Sequence, residues 1–188
     1  WNFLRNAYAK DWSLTERPGY LRLKGSELNF SQPDSPAFIG RRQPAFDITA
    51  SAKVSFVPAT DNEEAGLVVR ADDNNHYDLL ITRYHGKRVV MLRKVLKDKI
   101  AEVKYTEILD GEDFGFRMTA TASEYKFWAQ KEGREAQLVG TATTQDVSNE
   151  TLGGFTGVFI GMYASGNGKV NTNPADFDWF DLEEGTRL

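Results

Sequence analysis

The apolar run at residues 153–164, near the end of the chain, is the sequence feature that most restricts the possible folds. Apolar side chains occupy both sets of alternating positions in this run, so a strand built from it has two apolar faces. Such a strand belongs in the middle of a sheet that is covered on both sides. The two sets are Val158, Ile160 and Met162 on one face, and Phe159, Gly161 and Tyr163 on the other.

A second aromatic run follows at residues 175–180 and also alternates. As a regular strand it places Phe177 and Trp179 on one face, and Asp176, Asp178 and Phe180 on the other. A core strand carries two carboxylates on one face only if they are exposed, hydrogen-bonded or bound to a cation. The sequence therefore predicts special surroundings for these two aspartates.

The rest of the chain consists of strand-length runs with turn signals between them. Only residues 145–152 are compatible with a short helical turn, and no amphipathic helix of useful length is present. This pattern predicts an all-β fold, an antiparallel sandwich of two sheets. The clearest strand faces are Phe46, Ile48, Ala50, Ala52, Val54 and Phe56, and then Phe114, Phe116, Met118 and Ala120.

Composition limits the size and the partners of the protein. The 188 residues suit one domain, and the net charge of -4 without a long basic run argues against nucleic acid or an anionic membrane surface as a partner. No apolar run is long enough to span a bilayer, and no signal peptide is recognisable. The chain opens at Trp1 without a Met, so we expect a fragment or processed form. The absence of cysteine fits the cytoplasm or the periplasm and leaves the compartment open.

The sequence identifies no catalytic residues. It contains no nucleophile elbow, no phosphate-binding loop and no metalloprotease motif. Paired carboxylates are what glycoside hydrolysis needs, but Glu63 and Glu64 are adjacent, as are Glu183 and Glu184. Adjacent residues of a strand point to opposite faces, so neither pair is a catalytic pair on this evidence. Whether the chain is an enzyme is left open.

Trp128 is the one candidate for contact with a sugar. If Tyr125 and Phe127 face the core, Trp128 lies on the opposite face of the same strand. An exposed indole there could serve as a platform on which a carbohydrate ring stacks. The alternative is a tryptophan packed against a neighbouring loop.

Five sequence blocks occur in this order: SLTERPGYLRL at 13–23, PAFIGRRQ at 36–43, EEAGL at 63–67, FTGVFIGMY at 155–163 and ADFDWF at 175–180. This set closely resembles the C-terminal concanavalin-A-like β-sandwich domain of β-xylosidases in glycoside hydrolase family 43. The resemblance covers essentially the whole chain and implies one accessory domain, residues 1–188, with a jelly-roll sandwich. In that family a five-bladed propeller precedes this domain and carries the catalytic acid and base.

The resemblance also assigns two residues. Phe155 matches a loop aromatic that helps to wall the xylose-binding pocket of the propeller. Asp178 matches an aspartate that binds a structural calcium ion, Ca2+, in related sandwiches.

The sequence is therefore interpreted as the non-catalytic domain of a β-xylosidase or arabinofuranosidase-like glycoside hydrolase. Its expected partners are a catalytic propeller and, through the parent enzyme, a xylo-oligosaccharide or arabinoside. The alternative is an independent carbohydrate-binding module for xylan-type glycans that uses Trp128 or other surface aromatic residues.

Overall fold

The computed structural model describes residues 1–107, 111, 113–154 and 157–185, in which two antiparallel seven-stranded sheets pack face to face. One four-residue helix, α1 (Asn149–Leu152), follows a 3-10 turn at Gln145–Val147. In spatial order the first sheet contains β1 (Asn2–Phe3), β4 (Ala37–Arg42), β13 (Phe159–Ser165), β6 (Glu64–Asp72), β7 (Asn75–Tyr84), β8 (Lys87–Leu96) and β9 (Lys99–Glu107). The second contains β12 (Gln137–Thr143), β11 (Glu124–Lys131), β10 (Asp113–Ala120), β5 (Ile48–Ser55), β14 (Ala175–Glu184), β3 (Leu21–Leu23) and β2 (Trp12–Ser13).

The predicted all-β sandwich is confirmed, and its main core lies between the two sheets. The predicted inward faces of β5 and β10 are buried, because alternate side chains of a strand point to the same face. The predicted helical turn at residues 145–152 is present too. Phe46 is the exception, since it precedes β5 and is 65% exposed. Among the described residues, no helix is long and apolar enough to cross a bilayer.

The apolar run at the chain end forms β13, which lies between β4 and β6. Its residues from Ile160 to Ser165 are buried, so the prediction of a central strand covered on both sides is confirmed. Gly161 lies directly opposite Gly40 of β4, and the ring of Phe38 lies over this pair. A Cβ atom at Gly40 would lie 2.8 Å from the carbonyl oxygen of Ile160, so the close approach of these strands requires glycine.

The last strand, β14, contains a β-bulge that changes the predicted facing of its aromatic residues. Phe177 pairs with Val54 and Trp179 pairs with Lys53, which leaves Asp178 as the extra residue. Phe177 is 1% exposed, whereas Trp179 is 47% exposed. Phe180 returns to the core side. The prediction that Phe177 and Trp179 share a face was therefore wrong, because the bulge shifts the alternation by one residue.

The outer face of the first sheet is covered by a second apolar cluster. Phe30, from the connection at residues 24–36 between β3 and β4, stacks on Tyr163 of β13 with ring centroids 4.6 Å apart. Both side chains are buried. Val68, Leu80 and Met91 complete the buried cluster on this side. The covering connection explains why β13 has no exposed face.

Candidate functional site

One end of the sandwich carries a cavity of about 410 Å³. Its wall includes the connection at residues 43–46, which leads from β4 of the first sheet to β5 of the second. Hydrogen bonds fix this connection: the Tyr125 hydroxyl donates to Gln43 Oε1 at 2.7 Å, and Gln43 Nε2 donates to the Ala45 carbonyl at 2.8 Å. Phe46 also borders the cavity and exposes most of its ring. The cavity therefore combines a rigid wall with an apolar group open to solvent.

The cavity is also lined by α1 residues Asn149 and Glu150 and by Gly157 and Val158, which lie on either side of the segment that contains Phe155 in the sequence. The Ser148 side chain caps α1 by accepting a hydrogen bond from the Thr151 amide, and Gly153 ends the helix with a φ of 72°. Left-handed backbone of this kind favours glycine. The chain is described again from Gly157, which has a φ of 71° and borders the same cavity. Phe155 lies outside the described residues, so its role as a pocket wall stays a prediction.

Trp128 lies on the outer face of the second sheet, as predicted, because Tyr125 and Phe127 are buried in the core. Its ring is partly buried, and the guanidinium of Arg117 lies 4.7 Å from the ring centroid. This arrangement is a cation–π contact. Trp179 lines the same surface groove, whose volume is about 110 Å³. Sequence reasoning missed Trp179, since the strand alternation alone assigns it to the core.

Asp176, on β14, is the buried member of the two aspartates. It accepts hydrogen bonds from Arg22 Nε at 2.7 Å and from Arg17 Nη1 at 2.9 Å. Burial raises the pKa of Asp176, but the two arginines outweigh burial and hold the pKa below its usual value. The predicted special surroundings of this aspartate are thus two guanidinium groups.

Asp178 is half-exposed at the bulge, and its Oδ2 lies 3.6 Å from the Lys53 ammonium. The same ammonium lies 3.6 Å from Asp113 and 3.8 Å from Glu132. Within the described ranges, no three or more His, Cys, Asp or Glu residues are grouped as for a metal ion. The ammonium fits a divalent cation poorly, so a calcium ion at Asp178 would need carbonyl and water oxygens as further ligands. Calcium at Asp178 stays a prediction.

A buried cluster of ionisable groups lies on the covered outer face of the first sheet. Arg93 of β8 binds Glu64 through Nη2 at 2.8 Å and Asp78 through Nε at 2.7 Å. His76 Nδ1 lies 2.6 Å from the second oxygen of Asp78. Burial raises the pKa of Asp78, but His76 and Arg93 together lower it below the usual value. Arg93 therefore pairs with both carboxylates at once, an arrangement that suits a structural ion cluster better than general acid catalysis.

The adjacent pair that the sequence analysis considered, Glu63 and Glu64, is indeed divided. Glu63 accepts hydrogen bonds from the amides of Ala59 and Thr172, both at 2.7 Å, while Glu64 binds Arg93. Glu64 and Asp78 lie on the neighbouring strands β6 and β7, so their spacing in the sequence does not predict that they are close in space. A contact of that kind follows from strand pairing and not from local pattern.

Comparison with known proteins agrees with this architecture. The family model of the β-xylosidase C-terminal concanavalin A-like domain matches residues 1–183. The chain belongs to that family. A non-reducing end α-L-arabinofuranosidase of Bacteroides ovatus is 61% identical over 182 residues, which cover 97% of this chain and 34% of the relative. A xylosidase/arabinosidase of Butyrivibrio fibrisolvens is 31% identical over 173 residues, which cover 92% of this chain and 33% of the relative.

A solved structure gives the same result for the fold. The GH43B protein of the Bacteroides ovatus xyloglucan PUL superposes with a TM-score of 0.94 at 60% identity. The match covers 97% of this chain and 36% of that one. The family resemblance stated from the sequence is confirmed. The chain spans about a third of the length of the curated relatives it matches, which favours an accessory domain over an independent binding module.

Proposed function

We propose that this chain is the non-catalytic C-terminal domain of a glycoside hydrolase that removes terminal arabinose or xylose. In that enzyme it packs on the catalytic domain and helps to wall the sugar pocket. The observation that carries the proposal is the end of the sandwich at which exposed Phe46 borders the same cavity as Gly157 and Val158. Relatives about three times as long, among them an α-L-arabinofuranosidase, supply the class of partner and substrate.

Phe46 is well suited to contact a second domain. Its exposed ring is continuous with the apolar part of the cavity wall, which Pro44, Ala45 and Val158 supply, and contiguous exposed apolar surface marks interaction sites. The connection that presents it is already ordered: the Gly185 amide donates to the Asp47 carbonyl at 2.7 Å, and Tyr125 holds Gln43. Docking therefore loses little conformational entropy at this surface.

Phe155 is assigned the second part of the function. Gly153 and Gly157 flank its segment and both have left-handed backbone, which permits sharp turns and a close approach to another surface. From this end of the sandwich the Phe155 ring would border the catalytic pocket, exclude water and shape the pocket for a terminal sugar. It takes no part in proton transfer.

The experiment compares the full-length parent enzyme with the isolated chain. Phe155→Ala is expected to lower kcat/KM of the full-length enzyme by about 10- to 200-fold, the range for an apolar pocket contact. It is expected to leave the unfolding temperature of the isolated chain unchanged. Phe46→Asp is expected to lower the unfolding temperature of the full-length enzyme but not that of the isolated chain. Steady-state kinetics and thermal unfolding give these readouts.

Ile100→Asp is the matched control, because Ile100 is 64% exposed and Phe46 is 65% exposed, but Ile100 lies on β9 of the first sheet. This substitution is expected to leave the unfolding temperature of both the full-length enzyme and the isolated chain unchanged. If Phe155 were a core residue, Phe155→Ala would destabilise the isolated chain by about 3–5 kcal/mol, and the pocket-wall role would be rejected. Equal effects of Phe46→Asp on both proteins would reject the docking surface.

A further inference from the structure

Gly115, on the outer face of the second sheet, is not required by packing, unlike two other glycines of the sandwich. A Cβ atom at Gly66 would collide with the Leu79 carbonyl, and one at Gly140 would lie 2.7 Å from Leu92 Cδ2. At Gly115, the third residue of β10, the nearest atom to an added Cβ is Gln130 Cβ at 3.6 Å, an ordinary contact. Its φ is not in the left-handed region either. Glycine inside a strand is unfavourable and often marks the close approach of a ligand.

Gly115 forms part of the floor of the groove that contains both outward-facing tryptophans. The groove crosses four neighbouring strands, β11, β10, β5 and β14. Trp128 and Trp179 stand on its two outer strands, about 14 Å apart in the direction across the sheet, since strands are about 4.8 Å apart. From β11 to β14, one row of paired residues is Trp128, Arg117, Ser51 and Asp181, and the next is Gln130, Gly115, Lys53 and Trp179.

The two tryptophans bound the groove differently. Trp179 exposes 47% of its surface, so much of its indole ring is in contact with solvent. Trp128 is partly buried, and Arg117 holds its ring by a cation–π contact. Between them the absent side chain of Gly115 and the small one of Ser51 leave the depression open. The groove thus has an open aromatic wall, a fixed aromatic wall and a low floor.

We propose that this groove binds a neutral, β-linked polysaccharide chain, such as a xylan or glucan main chain, at a second site of the parent enzyme. The C–H faces of a sugar ring pack on the π face of an indole, and polar groups at the rim bond its hydroxyls. Ser51, Gln130 and Arg117 supply such polar groups. The Lys53 ammonium is compensated by Asp113, Asp178 and Glu132, so the groove does not favour a polyanion.

This site is separate from the surface that docks the catalytic domain. The docking surface lies beyond the Ile48 end of β5, whereas the groove begins at Ser51 of the same strand. Three residues of strand, about 10 Å, separate Ile48 from Ser51, and the groove extends from Ser51 away from the docking surface, towards Gly115 and Trp179. Both surfaces can therefore be occupied at once, and the loss of one leaves the other intact. The groove would hold the enzyme on the polymer while the catalytic domain removes a terminal sugar.

The test is affinity gel electrophoresis of the isolated chain in gels that contain arabinoxylan or xyloglucan, with dextran as the α-linked control. The wild-type chain is expected to be retarded by at least one of the two β-linked polymers and not by dextran. Trp179→Ala is expected to weaken binding about tenfold. Gly115→Val is expected to abolish binding by filling the groove, while it keeps or raises the unfolding temperature because valine is a better strand residue.

Phe46→Ala serves as the control at the docking surface and is expected to bind like the wild type. A wild-type chain that is not retarded, or is retarded equally by dextran, overturns the proposal. The proposal is also overturned if Trp179→Ala or Gly115→Val is retarded as strongly as the wild type, provided that the variant has a cooperative unfolding transition. If one variant does not fold, the other decides. Failure here leaves the docking experiment on Phe46 and Phe155 unaffected, so the two proposals can fail separately.

Discussion

The two sheets of this sandwich share one core but have different outer faces. On the first sheet, the connection that carries Phe30 covers the strands, and Arg93 bridges two carboxylates beneath it. On the second sheet, Trp179 is 47% exposed, and Lys53 has three carboxylates within 3.6–3.8 Å at a solvated surface. The same types of interaction are therefore buried on one side of the molecule and exposed on the other.

Stability and binding are therefore expected to depend on different outer faces of the sandwich. Breaking a buried ion pair by removing one partner strongly destabilises the fold, whereas an exposed ion pair contributes little to stability. An aromatic ring under a loop fills a core, whereas one on an open face is available to a ligand. We therefore expect substitutions on the first outer face to affect folding, and substitutions on the second to affect binding.

The largest effect is expected from Arg93→Met. It removes the cation that Glu64 and Asp78 share. His76 then remains beside Asp78, and the Tyr163 hydroxyl remains 3.3 Å from Glu64, but neither replaces the buried guanidinium. Removing one partner of a buried ion pair destabilises a protein by about 3–5 kcal/mol. Urea unfolding of the isolated chain measures the loss. Lys53→Met, on the second outer face, is the matched control and should cost far less; equal losses would contradict the difference between the faces.

A smaller effect is expected from Phe30→Ala. The ring is 2% exposed and stacks on Tyr163, so its removal leaves a cavity and should lower the free energy of unfolding by about 3 kcal/mol. Trp179→Ala removes a larger ring from the other outer face and should change that free energy by no more than about 0.5 kcal/mol. The two denaturation curves decide the matter. A Trp179 variant as unstable as the Phe30 variant would mean that Trp179 belongs to a core.

The smallest effect concerns calcium and Asp178. An ion that binds only the folded chain raises the unfolding temperature as the logarithm of its concentration rises. Calcium is expected to produce such a rise in the wild type and none in Asp178→Ala, with a chelator reversing it. Asp176→Asn is unsuitable as a control, because Arg17 and Arg22 bind that carboxylate. Unfolding temperatures that do not respond to calcium or chelator in either protein would rule out the site.

Local pattern was sufficient to predict the strands and most of the core. The alternation that buries Ile48 and Val54 of β5, and the doubly apolar run of β13, follow from side-chain periodicity alone. The exposure of two aromatic residues could not be predicted from this periodicity, for different reasons. Phe46 continues the pattern of β5 in sequence but precedes the strand, and Trp179 follows a bulge that the sequence does not reveal. Both exposed rings lie on the surfaces that are proposed to bind partners.

Contacts between distant strands could not be predicted in the same way. Nothing in the sequence shows that the connection at residues 24–36 folds over the first sheet and buries Phe30. The ion cluster of Arg93 likewise depends on the pairing of β6, β7 and β8. The pairing order of strands is a property of the whole chain, and a single sequence shows only local periodicity.

The order of the strands has a consequence for synthesis on the ribosome. β13 lies in the middle of the first sheet and β14 lies between β5 and β3 in the second, although both come last in the chain. A nascent chain that has emerged only as far as Leu152 lacks both strands, so β4, β6, β5 and β3 all present unpaired edges. Neither sheet can be completed until residues 159–184 have left the ribosome. Until then the open edges are available for strand exchange with other nascent chains, so we expect both sheets of this domain to be completed late in its synthesis.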